Sequence, residues 1–280
     1  VAHALFRGAK SEAVKWAKEW LNLEGEAAPV PARRAAAPPA PRATPQEDRD
    51  YDRRRALAIY CEARPELRGT PVDRYLQGRG IALERLGRSP RALRFHPHLR
   101  YRTTELYFPA MVALVDDGDG QVISIHRTYL QARADGRVTK ADVPEPKLTL
   151  GSYKGGAIRL WRGRLSDGRM RPPLKDCESG ETIVLTEGIE NGLSVALACP
   201  EHRVLAGISL SNLASIALPK AVGSVIIFAD NDQGAQAQAG LERAIAAHAQ
   251  AGRTVRIARA PAGFKDVNDW LRGQGKESAA

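Results

Sequence analysis

The chain has 280 residues, with 42 lysines and arginines against 32 aspartates and glutamates, a formal net charge of +10. That length allows one large or two modest domains, and no apolar run approaches the ~18 residues of a membrane span, nor is a secretory signal visible. The positive surplus favours an anionic partner, nucleic acid first and an anionic membrane surface second, although arginine-rich composition alone accounts for it equally well.

The three cysteines, Cys61, Cys177 and Cys199, are odd in number and far apart. They exclude a disulfide framework and a four-cysteine zinc site, and they fit a reduced, cytoplasmic protein. The chain opens on Val1 rather than Met, which reads as a fragment or a processed chain.

Ser11 to Leu23 reads as a short helix capped by Ser11, with Val14, Ala17 and Leu21 on one face and Trp16 and Trp20 on a second stripe. Residues 24–46 hold Pro29, Pro31, Pro38, Pro39, Pro41 and Pro45 among alanines. Such a composition builds no core and gives an extended linker. Thr44-Pro45-Gln46-Glu47 then opens a helix running to about Ala63. Thr70-Pro71-Val72-Asp73 repeats the device before Tyr75 and Leu76.

From Arg85 to Arg102 there are six arginines and no acid, besides His96 and His98. The run reads as a solvated face or as a basic loop against phosphates. Strands are expected at Phe108–Val115 and Gln121–Leu130, joined through the acidic-glycine turn Asp116 to Gly120. That turn lacks the later glutamate of a calcium loop and is read as a turn only. Pro146–Leu148 and Ala157–Trp161 add short strands, and a second basic run extends from Arg159 to Lys175.

After Lys175 the pattern changes. Strands at 182–186, 203–206, 224–229 and 254–258 alternate with helices at 189–198, 209–217, 235–251 and 266–272. Strict alternation with short loops predicts a parallel sheet with helices on both faces and every strand's carboxyl end on one rim. Ligands of such sheets bind at that rim. Glu187 follows the first strand, and Asp230 and Asp232 follow the third. The i, i+2 spacing puts the two aspartates on one face of an extended segment, and carboxylate oxygens suit hard cations such as magnesium. Asp266 and Asp269 follow the fourth strand. Two ions held this way clamp the attacking and leaving oxygens of a phosphoryl transfer. For each acid the competing reading is a helix cap or a partner of the helix dipole, most of all for Asp269.

A strand ending in Glu187-Gly188, then a strand ending in Asp230-Asn231-Asp232 with Gly234 nearby, resembles the Toprim domain shared by primases, topoisomerases and some nucleases. The resemblance covers about residues 180–275. It implies that Glu187 is catalytic, that Asp230 and Asp232 bind magnesium or manganese, and that the later acid of primase-like members falls on Asp266, with Asp269 beside it. Upstream, Phe108-Pro109-Ala110, Gly120 through Arg127, and Pro146-Lys147 look like the strand pair and Pro-Lys segment before the Toprim fold of bacterial-type primases. This implies that Arg127 and Lys147, with Lys154 and Arg159 after them, line a template and nucleotide groove. The segments Arg68 through Ile81 and Leu93 through His96 look like the phage and mobile-element relatives of primase-helicases. Those begin with a zinc ribbon; here its cysteines are missing, and residues 1–23 resemble only its trailing helix. Glu190-Asn191 stands where the primase pattern often has an aspartate. No Walker A stretch occurs in the 280 residues, so a helicase module is not expected among them.

The expected organisation is a residual helix at 1–23, a linker at 24–46, a smaller mixed α+β primase-like subdomain at 47–175 and an α/β Toprim domain at 176–275. The implied function is a primase-type nucleotidyltransferase. Its partners are a single-stranded DNA template and nucleoside triphosphates, with a replicative helicase as a further one and no membrane. A Toprim nuclease and a non-catalytic DNA-binding replication accessory are the alternatives. A topoisomerase needs a nucleophilic-tyrosine domain, and a recombination mediator a four-cysteine zinc site.

Overall fold

A computed structural model of the protein describes residues 10–21 and 45–277. They fall in two units, divided between Ala43 and Thr44. The expected linker at 24–46 lies outside the described residues but for its last two.

In the first unit, helix α1 (Lys10–Trp20) carries Trp16 stacked on Trp20, ring centroids 6.1 Å apart. Ser11 sits inside the helix rather than at its cap.

The second unit opens with α2 (Pro45–Glu62) and α3 (Pro71–Gln77). Thr70 caps α3 through its hydroxyl, which accepts from the Asp73 N–H, and Pro71 supplies the preset first turn. An antiparallel sheet follows: β1 (Leu93–Tyr101), β2 (Leu106–Asp116), β3 (Val122–Ala132) and β4 (Val138–Lys140) in that order, with β5 (Lys147–Leu150) also on β3. The acidic-glycine turn closes the β2–β3 hairpin, with Asp117 Oδ1 accepting the N–H groups of Asp119 and Gln121.

The basic run from Arg85 is turn and loop only as far as residue 92: residues 93–101 are strand β1. Leu93, Phe95, Leu99 and Tyr101 face inward. The register slips between His96 and Leu99, around Pro97, which breaks the period-2 pattern by which a strand is recognised.

The second sheet contains β6 (Ile158–Trp161), β7 (Glu181–Thr186), β8 (Arg203–Ala206), β9 (Val222–Phe228) and β10 (Thr254–Ala258), in the order β10-β9-β7-β8-β6. The four strands expected to be parallel are parallel, and β6, from upstream of residue 175, pairs with β8 as an antiparallel edge that makes the sheet as a whole mixed. The helices are α4 (Ile189–Ala198), α5 (Leu210–Leu213), α6 (Ala235–Gln250) and α7 (Val267–Glu277). The helix expected over 209–217 is a single turn.

The two sheets meet across one core. Met111, Ala113 and Val115 of β2, Ile158 and Leu160 of β6, and Leu193 of α4 belong to a single buried cluster. Gly192 permits the approach of α4: a Cβ there would run into the Leu160 side chain and sit 2.9 Å from Thr186 Oγ1. Among the described residues, no helix is long and apolar enough to cross a membrane.

Candidate active site

The carboxyl rim of the parallel strands is where the acids gather. Glu187 follows β7, which ends at Thr186; Asp230 and Asp232 follow β9, which lies beside β7. All three line one cleft of about 740 Å³, together with Ser209, Arg259 and Lys265. Burial, then Asp230, pushes the Glu187 carboxyl above its ordinary range; Lys147 pulls it down and Asp232 adds to the rise. Burial, then Asp266, does the same to Asp230. Burial is the larger cause at both acids, and the neighbouring carboxylates add to it.

Each acid has a defined support. Asp230 Oδ1 accepts from Asn191 Nδ2 at 2.8 Å, and Arg259 donates to the Asp230 carbonyl. Asn231 points the other way, donating to the carbonyls of Ala260 and Phe264. Asp232 is exposed, with Oδ1 accepting from the Gly234 N–H. Asp266 Oδ1 accepts from the Asp269 N–H, and Asp269 Oδ2 accepts from the Lys265 N–H. Those last two acids thus close the start of α7 in the manner of a capping box. Asp266 remains within electrostatic reach of Asp230, whereas Asp269 is turned to the cap. At the rim Ile208 has φ +73° and donates its N–H to the Glu187 carbonyl. A β-branched residue in the left-handed region is strained by roughly 1–3 kcal/mol.

Behind the rim is a network that brings together residues from separate sequence segments. Glu190, on the first turn of α4, is buried. It accepts from Tyr75 Oη at 2.6 Å and from Lys147 Nζ at 3.1 Å. Burial raises its pKa, but Lys147, the Tyr75 hydroxyl and Lys140 outweigh that and hold it at about 2. Lys140 falls to about 8 through burial and the neighbouring Lys147. His126 falls to about 4, again through burial first and Lys147 second. Asn268 ties α7 to this region, donating to the Arg79 carbonyl at 2.7 Å and to Ser194 Oγ at 3.0 Å. Tyr75 and Glu190 are 115 residues apart, so no local motif announces the pair.

The four basic candidates separate. In the β3–β5 register Lys147 pairs with Thr128 and Arg127 with Leu148. Successive residues of a strand face opposite ways, so Lys147 and Arg127 lie on opposite faces of the first sheet. Lys147 faces the acids. Arg127 is 8% exposed and donates to Tyr129 Oη, so the two do not line one groove. Lys154 is exposed in the loop after β5. That loop is held at the carboxyl rim by Asn212, whose Oδ1 accepts the Gly155 N–H and whose Nδ2 donates to the Gly156 carbonyl. Arg159 pairs with Asp116 at 2.6 Å, away from the acids.

The donor set fits a hard divalent cation in chemistry: carboxylate oxygens that raise one another's proton affinity. Among the described residues, no three acid, histidine or cysteine side chains are drawn together tightly enough to enclose an ion. An ion there would rest on few protein ligands and complete its shell with water and phosphate, as magnesium does.

A family model described as a Toprim domain matches residues 182–277. Residues 182–277 are a Toprim domain. A second model, described as a domain of unknown function (DUF7146), matches residues 50–160. No curated protein matches the chain. Similar solved structures are bacterial and phage primase catalytic cores. The primase fragment of the bacteriophage T7 primase-helicase protein is 21% identical, over 73% of this chain and 72% of its own, with a TM-score of 0.43. The Aquifex aeolicus primase (zinc binding and RNA polymerase domains) is 17% identical, over 85% and 60%, at 0.47. The DnaG primase catalytic domain bound to ssDNA is 17% identical, over 84% and 80%, at 0.49.

Proposed function

We propose that the chain is a primase-type nucleotidyltransferase core, joining nucleotides on a single-stranded DNA template. One observation carries the reading: Glu187 and the Asp230/Asp232 pair, on adjacent parallel strands of a Toprim domain, open on one cleft with Lys147 beside them. When bound at these three acids, magnesium or manganese would supply charge neutralisation and orientation for the phosphates.

The chain's own residues do the rest. Glu187, with its raised proton affinity, accepts the proton of the attacking 3′-hydroxyl. The hydroxyl oxygen then bonds to the α-phosphorus, and the bond to pyrophosphate breaks. Lys147, held by Glu190, presents a fixed ammonium to the phosphates. Lys154 meets the template at the rim, and Asp266 adds negative charge behind Asp230. The smaller subdomain, residues 47–175, carries Lys147 and Lys154, and residues 176–275 carry the acids. Binding to single strands weakens as salt rises, since basic contacts release counterions.

Primer synthesis from labelled nucleotides tests the reading. Metal-dependent products lost on Asp230→Ala/Asp232→Ala support it. Template degradation lost in the same variant makes the chain a Toprim nuclease instead. Intact DNA binding indifferent to magnesium and to loss of Glu187 makes it a replication accessory.

A further inference from the structure

At the opposite rim of the second sheet lies a cavity that shares no residue with the acidic cleft. It has a volume of about 220 Å³. Arg203, which opens β8, and Trp161, which pairs with Val204 beside it, mark that rim. Ala92, Leu114, Leu160, Trp161 and Met170 give the lining an apolar part, of which Ala92, Leu160 and Trp161 are buried and serve as its floor. The mouth is ringed by arginines.

Two of those arginines are neutralised from within. Arg203 is held by Glu181 at 2.8 Å and Arg159 by Asp116 at 2.6 Å. Arg88, Arg91 and Arg162 make no ion pair among the described residues. Arg162 is half-buried and feels Arg91, Arg88, Arg203 and Arg159 together, all of its own sign. One carboxylate, Asp116, also lines the cavity and is engaged by Arg159. Five arginines thus stand against one acid there, and the three guanidinium groups left without an ion pair are complementary to a carboxylate-bearing, partly apolar ligand.

Size and floor narrow the class. Sites for drug-sized ligands run to about 300–1,000 Å³, so a whole nucleotide does not fit, and a bare phosphodiester gains nothing from an apolar floor. One apolar side chain flanked by carboxylates does fit. We propose that this cavity is a docking site for an acidic peptide segment of a partner protein, an apolar side chain filling the floor and its carboxylates meeting Arg88, Arg91 and Arg162. A partner held there leaves the acidic cleft open, so the proposal stands independently of the chemistry at Glu187.

Trp161 makes the site observable: the chain's other tryptophans are Trp16, Trp20 and Trp270, none of which lines the cavity. The probe is a synthetic peptide of consecutive aspartates ending in leucine with a free carboxylate, titrated against the whole chain. The expected result is saturable binding with a fluorescence change that Trp161→Phe abolishes. Arg162→Ala and the exposed Arg91→Ala should each weaken binding about tenfold, the loss of one charge-assisted contact. The same peptide ending in serine should bind more weakly, and Asp230→Asn should bind as the parent does. The proposal is overturned by no binding to the parent, by undiminished binding to folded Arg91→Ala protein, or by an oligothymidylate that competes for the Trp161 signal, which would assign the cavity to nucleic acid.

Discussion

Asn191 Nδ2 donates to Asp230 Oδ1 at 2.8 Å, joining the first turn of α4 to the acid after β9. A neutral donor thus stands against a carboxylate whose proton affinity is already raised by burial and by Asp266. The same side chain accepts the Asn268 N–H, so one amide ties β9's acid, α4 and α7 together.

Replacing that donor tests how crowded the rim is with charge. Asn191→Asp removes the hydrogen bond and puts a further carboxylate against Asp230. Without divalent metal the variant should be less stable by about 2 kcal/mol, the cost of a lost charge-assisted bond plus like-charge repulsion. Magnesium should restore more stability to it than to the parent. Thermal unfolding with and without magnesium measures both.

Glu190 governs the acid limb of stability. Its folded pKa of about 2 lies below the ordinary 4.5, so its contribution is complete above about pH 4.5 and is lost as pH falls toward 2. Glu190→Gln should lower stability at pH 7 by about 3 kcal/mol, given ~1.4 kcal/mol per decade of proton affinity. It should also flatten the pH dependence below 4.5. Urea titrations across pH 2–7 read both effects.

Gly192 is a packing glycine. Gly192→Ala adds helix propensity but drives a methyl into Leu160 and Thr186. Overpacking should win, at a net cost of roughly 1–3 kcal/mol. Denaturant midpoints check the sign: a stabilised variant would mean that α4 can move off β6.

Arg203 and Glu181 form a pair in which both side chains are 2% exposed. Arg203→Ala leaves Glu181 charged and buried, and should cost about 3–5 kcal/mol. The double variant Arg203→Met/Glu181→Leu should recover most of that, because the unpaired charge is gone. Equal losses in both would show that the arginine's bond to the Pro172 carbonyl matters more to stability than its ion pair.

The parallel strands and their terminal acids are legible because the signal is local: an apolar run, then a carboxylate and a glycine at the same position twice. Strand β1 is obscured by Pro97 and by arginines that occupy its outward positions. That β6 joins the second sheet is not legible, because an antiparallel edge has no sequence mark distinct from a hairpin strand. Arg127 and Lys147 look like one groove, yet the β3–β5 register turns them to opposite faces, and register is set by tertiary pairing. Tyr75, Lys140 and Glu190 meet only through the packing of α3 and the β3–β4 hairpin against α4, so their cluster has no spacing to reveal it.

Primer synthesis on single-stranded templates, with magnesium or manganese and labelled nucleotides, tests the central claim most directly. The parent chain is compared with Asp230→Ala/Asp232→Ala, whose folding is verified by its unfolding transition. The account predicts metal-dependent, template-dependent products from the parent and none from the variant. Products of equal yield from both would contradict it, because the chemistry would then lie somewhere other than the carboxyl rim of β7 and β9.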